Sequence, residues 1–215
     1  MSNLFYGTCT LAMKGLLLAL ARWQVCGQEN VPRHGPLIIT ANHLNLADPP
    51  LLSASIPRRI VFMAKQELWR NPLAGHIVSA FGAFPVARGQ HDREALRRGL
   101  DALKAGMALG MFPEGTRSRT GRLGVGHPGS ALLALHAQAP ILPVGITGTQ
   151  VVEDLKLIAS RPRITVTIGV PYYLPVRKGK LERADVSAAT DLIMSKISEL
   201  LPEEYRPPSS VTTSQ

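Results

Sequence analysis

His43 and Asp48 are the side chains best suited to move a proton in this chain. An imidazole changes charge near neutral pH, and a neighbouring carboxylate can hold it in one tautomer, which makes the pair a candidate general base. Both lie in the stretch Ala41-Asn42-His43-Leu44-Asn45-Leu46-Ala47-Asp48-Pro49-Pro50. Five residues apart on one helix, their side chains would point in different directions; across a turn they can meet. The apolar, β-branched run before them, residues 36–40, reads as a buried strand. Residues 51–56 read as a short helix, with Asp48 as its carboxylate cap and Pro49 at the first helical position. The competing reading gives His43 a turn and Asp48 a cap and nothing more, and this stretch alone does not separate the two.

The elements around it do more. Residues 59–64, 83–89, 107–112, 140–146 and 164–170 read as further strands. Residues 71–80, 92–104, 130–138 and 184–201 read as helices between and after them. This alternation predicts an α/β fold with a mostly parallel sheet flanked by helices and its chemistry at the carboxyl ends of the strands. Arg88 and the run Glu114-Gly115-Thr116-Arg117 each follow such a strand, as His43 does. Arginines placed there suit a phosphate, which a guanidinium can grip with two parallel hydrogen bonds. Glu114 has two readings: it binds a hydroxyl, or it pairs with an arginine and holds it.

Composition limits the partners. The 215 residues are 45% hydrophobic, enough for one domain with a full core. The formal charge of +9 calls for an anionic partner: a membrane surface, a nucleic acid or a phosphorylated substrate. Against a nucleic acid, the basic residues are scattered, aromatics make up only 5%, and no nucleic-acid motif occurs. Cys9 and Cys26 have no metal or redox spacing, so no metal site is expected, and they read as reduced thiols in a cytoplasmic setting.

Residues 4–25 form a mostly apolar helical segment that Lys14 interrupts, short of the roughly 20 apolar residues a bilayer span requires. It has neither a basic start nor a small-residue cleavage site, so it does not read as a leader. It fits an interfacial helix, with Lys14, Arg22 and Trp23 at headgroup level and Arg58 and Arg59 facing anionic lipid. Packing on the core is the alternative. The expected organisation is a membrane-associating helix over 1–24, a catalytic domain over 25–201, and a disordered tail over 202–215.

The ordered blocks resemble the glycerolipid acyltransferases of the 1-acylglycerol-3-phosphate acyltransferase group. Asn42-His43 with Asp48 matches their Asn-His-x4-Asp block, and Gly82 to Arg88 matches a second, glycine-to-arginine block. Phe112-Pro113-Glu114-Gly115-Thr116-Arg117-Ser118 matches the third without departure, and Ala139-Pro140-Ile141-Leu142-Pro143-Val144 matches the fourth. The resemblance covers residues 27–150. Where relatives often carry a basic residue after the third block, this chain has Gly126-His127-Pro128-Gly129, so that contact falls to His127 or is absent. The short amino-terminal segment is expected as one helix where some relatives have a two-helix anchor.

The resemblance implies acyl transfer from acyl-CoA or acyl carrier protein to the sn-2 hydroxyl of 1-acylglycerol-3-phosphate, without a resident cofactor, on the cytoplasmic face of the plasma membrane. It implies His43 as base and Asp48 as its orienter. Arg88 and Arg117 would hold the phosphate in a pocket shaped by Glu114, Gly115 and Thr116. Glycerol-3-phosphate, another lysophospholipid or a glycolipid is the alternative acceptor, and a non-enzymatic basic binding module is the remaining alternative.

Overall fold

The computed structural model describes residues 3–86, 93–153, 161–175 and 179–208. Its strands are β1 (Arg22–Cys26), β2 (Leu37–Ala41), β3 (Ile60–Lys65), β4 (Ala83–Val86), β5 (Ala108–Met111), β6 (Ile141–Thr147) and β7 (Arg163–Ile168). The helices are α1 (Asn3–Leu20), α2 (Asp48–Ser55), α3 (Pro72–Ala80), α4 (Arg93–Lys104), α5 (Gly129–Ala137) and α6 (Arg183–Glu199). The strands form one sheet in the order β1-β7-β6-β2-β5-β3-β4. β6, β2, β5, β3 and β4 are parallel; β7 runs antiparallel to β6, and β1 pairs parallel to β7. The expected α/β fold with a mostly parallel sheet is therefore present, closed at one edge by a reversed pair of strands.

The sheet has a core on each face. On one, Leu37, Ile39, Leu142 and Val144 pack with Leu51 and Leu52 of α2, and Leu17 of α1 lies against them. On the other, Ile38, Leu109 and Ile141 pack with Leu103 of α4, Leu133 of α5 and Ile193 of α6. β2 is buried along its whole length, which is why it reads as a continuous apolar run.

Three expectations change. The first helix ends at Leu20, not at 25, and Arg22–Cys26 is an edge strand. Its side chains alternate, with Trp23 and Val25 turned towards the core and Arg22, Gln24 and Cys26 outward. That two-residue period is the strand signal, and the apolar helix running into it hides the pattern. Arg58 does not face lipid: its guanidinium donates to the carbonyls of Pro32, Gly35 and Gly106 at 2.7–3.1 Å and fastens two loops. The tail is ordered over its first residues, where Glu203–Tyr205 make a 3-10 turn that straps the loop after β5. There Leu123 N–H donates to the Tyr205 carbonyl at 2.7 Å, and Gly148 N–H and the Gln150 amide donate to the Tyr205 hydroxyl at 3.2 and 2.7 Å. Residues 209–215 lie outside the described residues.

Candidate active site

Parallel pairing sets the geometry. Thr40 of β2 is in register with Met111 of β5, so His43 and Glu114 stand three residues beyond the same rung on neighbouring strands. β2 leaves the sheet at Ala41, and Asn42 replaces its next rung with a side chain. The Asn42 amide donates to the Ile146 carbonyl at 2.8 Å and accepts from the Ile146 N–H at 2.7 Å. Asn42 is buried, so Asn42→Ala orphans both backbone groups of Ile146. Each unsatisfied buried group costs about 1–3 kcal/mol, so the variant is expected to lose about 2–6 kcal/mol in urea unfolding.

His43 and Asp48 meet across the turn. The imidazole Nδ1 donates to Asp48 Oδ2 at 2.8 Å, and the same oxygen accepts Leu44 N–H at 2.7 Å and Asn45 N–H at 2.8 Å. Asp48 is fully buried, whereas the His43 side chain keeps 14% of its exposure. The expected helix cap is corrected. The residue before the helix is Ala47, and the Asp48 carboxylate turns back into the loop instead of bonding the helix's first N–H groups. The other carboxylate oxygen, Oδ1, is buried with no partner among the described residues. One oxygen thus accepts three hydrogen bonds, fixing both the loop and the ring. With the proton on Nδ1, Nε2 presents its lone pair away from Asp48. Phe112 stacks on the ring at a centroid distance of 4.1 Å and an angle of 21°.

Glu114 takes a role that neither of its sequence readings contains. Its buried carboxylate accepts His43 N–H at 2.8 Å through Oε1 and Gly124 N–H at 2.9 Å through Oε2. It therefore ties the base's own backbone to the glycine-rich loop, and Ser118 N–H adds a bond to the His43 carbonyl at 2.7 Å. A Cβ at Gly124 would stand 3.1 Å from Glu114 Oε2, a tight contact that the carboxylate would have to shift to relieve. Nothing in the spacing of the chain points to Gly124, which is ten residues from its partner and joined to it only by the fold.

Burial pushes the Glu114 carboxyl above the ordinary glutamate range, against the pull of the two N–H donors. A carboxyl whose pKa is raised by folding binds its proton more tightly in the native state, so its contribution to stability falls as pH rises through that range. Glu114→Gln removes this slope. The destabilisation it causes is expected to be largest near pH 4–5 and to shrink towards pH 7, as read by urea unfolding at several pH values.

Gly115 adopts a left-handed φ of +65°, and a Cβ there would lie 2.9 Å from the His127 ring. His127 thus packs against the Glu-Gly-Thr-Arg turn. Thr116 and Arg117 sit between two cavities. An apolar one of about 270 Å³ is lined by His43, Leu46, Phe62, Met63, Phe81 and Phe112. A polar groove of about 1420 Å³ runs past Arg117, Arg119, Arg122 and Arg206. Arg88 lies outside the described residues. No cluster of metal-ligating side chains occurs among the described residues. A base with a free nitrogen, an apolar wall and an adjoining basic groove together suit attack by a hydroxyl on a carbonyl of an amphiphilic, anionic substrate.

A family model described as Acyltransferase matches residues 22–147. The chain is 27% identical over 196 residues to a 1-acyl-sn-glycerol-3-phosphate acyltransferase of Bacillus subtilis, covering 91% of this chain and 96% of that one. It is 30% identical over 176 residues to a protein of the same description from Cocos nucifera, covering 79% of this chain and 55% of that one. It therefore spans little more than half the length of the coconut protein. The crystal structure of the 1-acyl-sn-glycerophosphate acyltransferase PlsC from Thermotoga maritima matches with a TM-score of 0.67 at 24% identity. That match covers 91% of this chain and 79% of the other.

Proposed function

We propose, from the premise that this chain belongs to the acyltransferase family, that it moves a fatty acyl group from a thioester to the sn-2 hydroxyl of 1-acylglycerol-3-phosphate, giving phosphatidic acid. The relatives described as 1-acyl-sn-glycerol-3-phosphate acyltransferases support that acceptor. The observation that carries the reading is the His43–Asp48 pair at 2.8 Å, set on the wall of an apolar cavity next to Arg117.

In this reaction His43 Nε2 takes the acceptor's hydroxyl proton as the oxygen attacks the thioester carbonyl. Asp48 stabilises the imidazolium that forms. The tetrahedral intermediate collapses, the carbon–sulfur bond breaks, and the imidazolium returns its proton to the departing thiolate. The acceptor hydroxyl is itself the nucleophile, so no covalent acyl-enzyme is needed. Arg117, with Arg88, holds the acceptor's phosphate, and Gly115 and Thr116 shape that pocket. Glu114 serves it by fixing the His43 backbone. The apolar cavity beside His43 takes an acyl chain.

The test is mass-spectrometric detection of phosphatidic acid from lysophosphatidic acid and a long-chain acyl-CoA, with glycerol-3-phosphate and other lysophospholipids as parallel acceptors. Phosphatidic acid as the preferred product supports the reading. Acylation of another acceptor alone replaces it with the alternative substrate.

Membrane association is part of this proposal. No helix among the described residues is long and apolar enough to cross a bilayer. α1 does expose Leu4, Leu11 and Leu18, seven residues apart and therefore along one stripe, and Leu46 is exposed at the mouth of the apolar cavity. The opposite side of the helix is fixed to the domain: Tyr6 is buried, its hydroxyl accepts Ile60 N–H at 3.2 Å, and Arg59 lies over its ring. Such a helix suits lying in the interface. Changing Leu4, Leu11 and Leu18 together to glutamate is expected to release the protein from anionic vesicles in a flotation assay while leaving its thermal melt in place. Unchanged flotation would assign the contact to another surface.

A further inference from the structure

The polar groove is larger than the acceptor's headgroup requires. One phosphate is met by the arginine at the cavity junction, Arg117, yet the groove continues to Arg119, Arg122 and Arg206. These cations are set apart from the other arginine cluster, since Arg97 and Arg98 on α4 are engaged with Glu94 at 2.8–2.9 Å. Arg122 and Arg206 both line the groove and are fixed to each other and to the fold. Arg122 Nη1 donates to the Arg206 carbonyl at 3.2 Å, and Arg206 Nε donates to the Leu201 carbonyl at 2.8 Å. Each bond leaves the remaining guanidinium N–H groups as a fork, the arrangement that grips phosphate oxygens.

We propose that this groove holds the 3′-phosphorylated adenosine diphosphate of a coenzyme A thioester, so that the acyl donor is acyl-CoA. This rests on the reading of the site as a thioester-dependent acyltransferase. Three phosphates spread over one nucleotide match several cations spread along a groove that opens at Thr116 and Arg117 onto the His43 cavity. Glu203 and Glu204 line the same groove. Their carboxylates can accept from an adenine amino group or a ribose hydroxyl, whereas they would repel the acidic surface of a carrier protein. Pro207 and Pro208 offer an apolar face on which a purine ring can pack. The wall carrying Arg206 is the strap whose turn is held by the Leu123 N–H to Tyr205 carbonyl bond, so the end of the described chain completes the donor site.

Two measurements decide this. Adenosine 3′,5′-bisphosphate titrated calorimetrically into the full chain is expected to bind, and to bind at least about ten-fold more weakly in Arg122→Gln and in Arg206→Gln, with Arg122→Lys intermediate. In steady state, both glutamine variants are expected to raise the KM for acyl-CoA about ten-fold without changing the KM for lysophosphatidic acid. Acyl-dephospho-CoA should raise the wild-type KM similarly, and the variants should add less to it than they add with acyl-CoA. A rise in acceptor KM alone would assign the groove to the acceptor's headgroup. Efficient use of acyl carrier protein, with the variants impairing only that donor, would assign it to a carrier protein. Either result overturns the proposal, as does absence of bisphosphate binding to a wild type that transfers acyl groups. Bisphosphate binding by a wild type that acylates none of the acceptors would keep the nucleotide site and overturn the reading of the chemistry.

Discussion

Replacing His43 by alanine is expected to lower kcat for acyl transfer by about 10²–10⁴-fold, the usual contribution of a positioned general base. The fold should survive, because the ring sits at the end of β2 and outside both cores. The change also removes the Phe112 stack and one of the three hydrogen bonds to Asp48 Oδ2, so alanine alone could act by letting the loop shift. His43→Asn separates the causes. Its side-chain amide can donate to Asp48 from where Nδ1 stands, but it carries nothing at Nε2. If the lone pair on Nε2 is what matters, asparagine is as inactive as alanine; recovery of most activity in His43→Asn would reduce His43 to a loop clamp. Product formation under saturating donor and acceptor reads the difference.

The second large effect is at Asp48. Asp48→Ala deprives the N–H groups of Leu44 and Asn45 of their acceptor at a fully buried position. At about 1–3 kcal/mol for each buried group left unpaired, the loss of about 2–6 kcal/mol should appear directly in denaturant unfolding. Asp48→Asn is the sharper variant. All three hydrogen bonds converge on Oδ2, so an amide oxygen placed there can keep the ring tautomer and the turn while the negative charge is gone. Its amide nitrogen would then occupy the Oδ1 position, which has no partner among the described residues. The expected result is a turnover loss of about 10- to 100-fold, the rate equivalent of the 1.5–3 kcal/mol carried by a hydrogen bond to a charged group. Activity equal to wild type in a folded Asp48→Asn would show that the carboxylate's charge has no part in the chemistry.

Much of this site is legible in the order of the amino acids. The β-branched run before Asn42, the proline after Asp48 and the apolar strand before Glu114 place both clusters at strand ends, and the parallel register then sets His43 and Glu114 side by side. The features that stay hidden have physical causes. β1 merges with α1 because five alternating residues carry little signal after eighteen helical ones. The Asp48 carboxylate reads as a helix cap because a cap and a loop clamp use the same residue type in the same place. Glu114 reads towards ligands, yet its partners are backbone N–H groups, which every residue but proline has and no motif records. The ordered turn at Glu203–Tyr205 is lost in a proline- and serine-rich tail, because Tyr205 is fixed by long-range contacts rather than by local propensity.

The pairing of β1 with β7 bears on the chain's synthesis. β1 is an edge strand whose partner, β7, lies some 140 residues later, with Arg22 in register with Arg163. Domains emerge from the ribosome amino terminus first at about 5–20 residues per second, so β1 waits several seconds without its ladder. The loop carrying Gly124, which holds the base through Glu114, waits longer still for the Tyr205 carbonyl that anchors Leu123 beside it. A ribosome-stalled chain ending near residue 200 would carry every residue assigned to catalysis and still lack the clasp over their loop. The clasp from Tyr205 is thus made only after every residue assigned to catalysis has been synthesised.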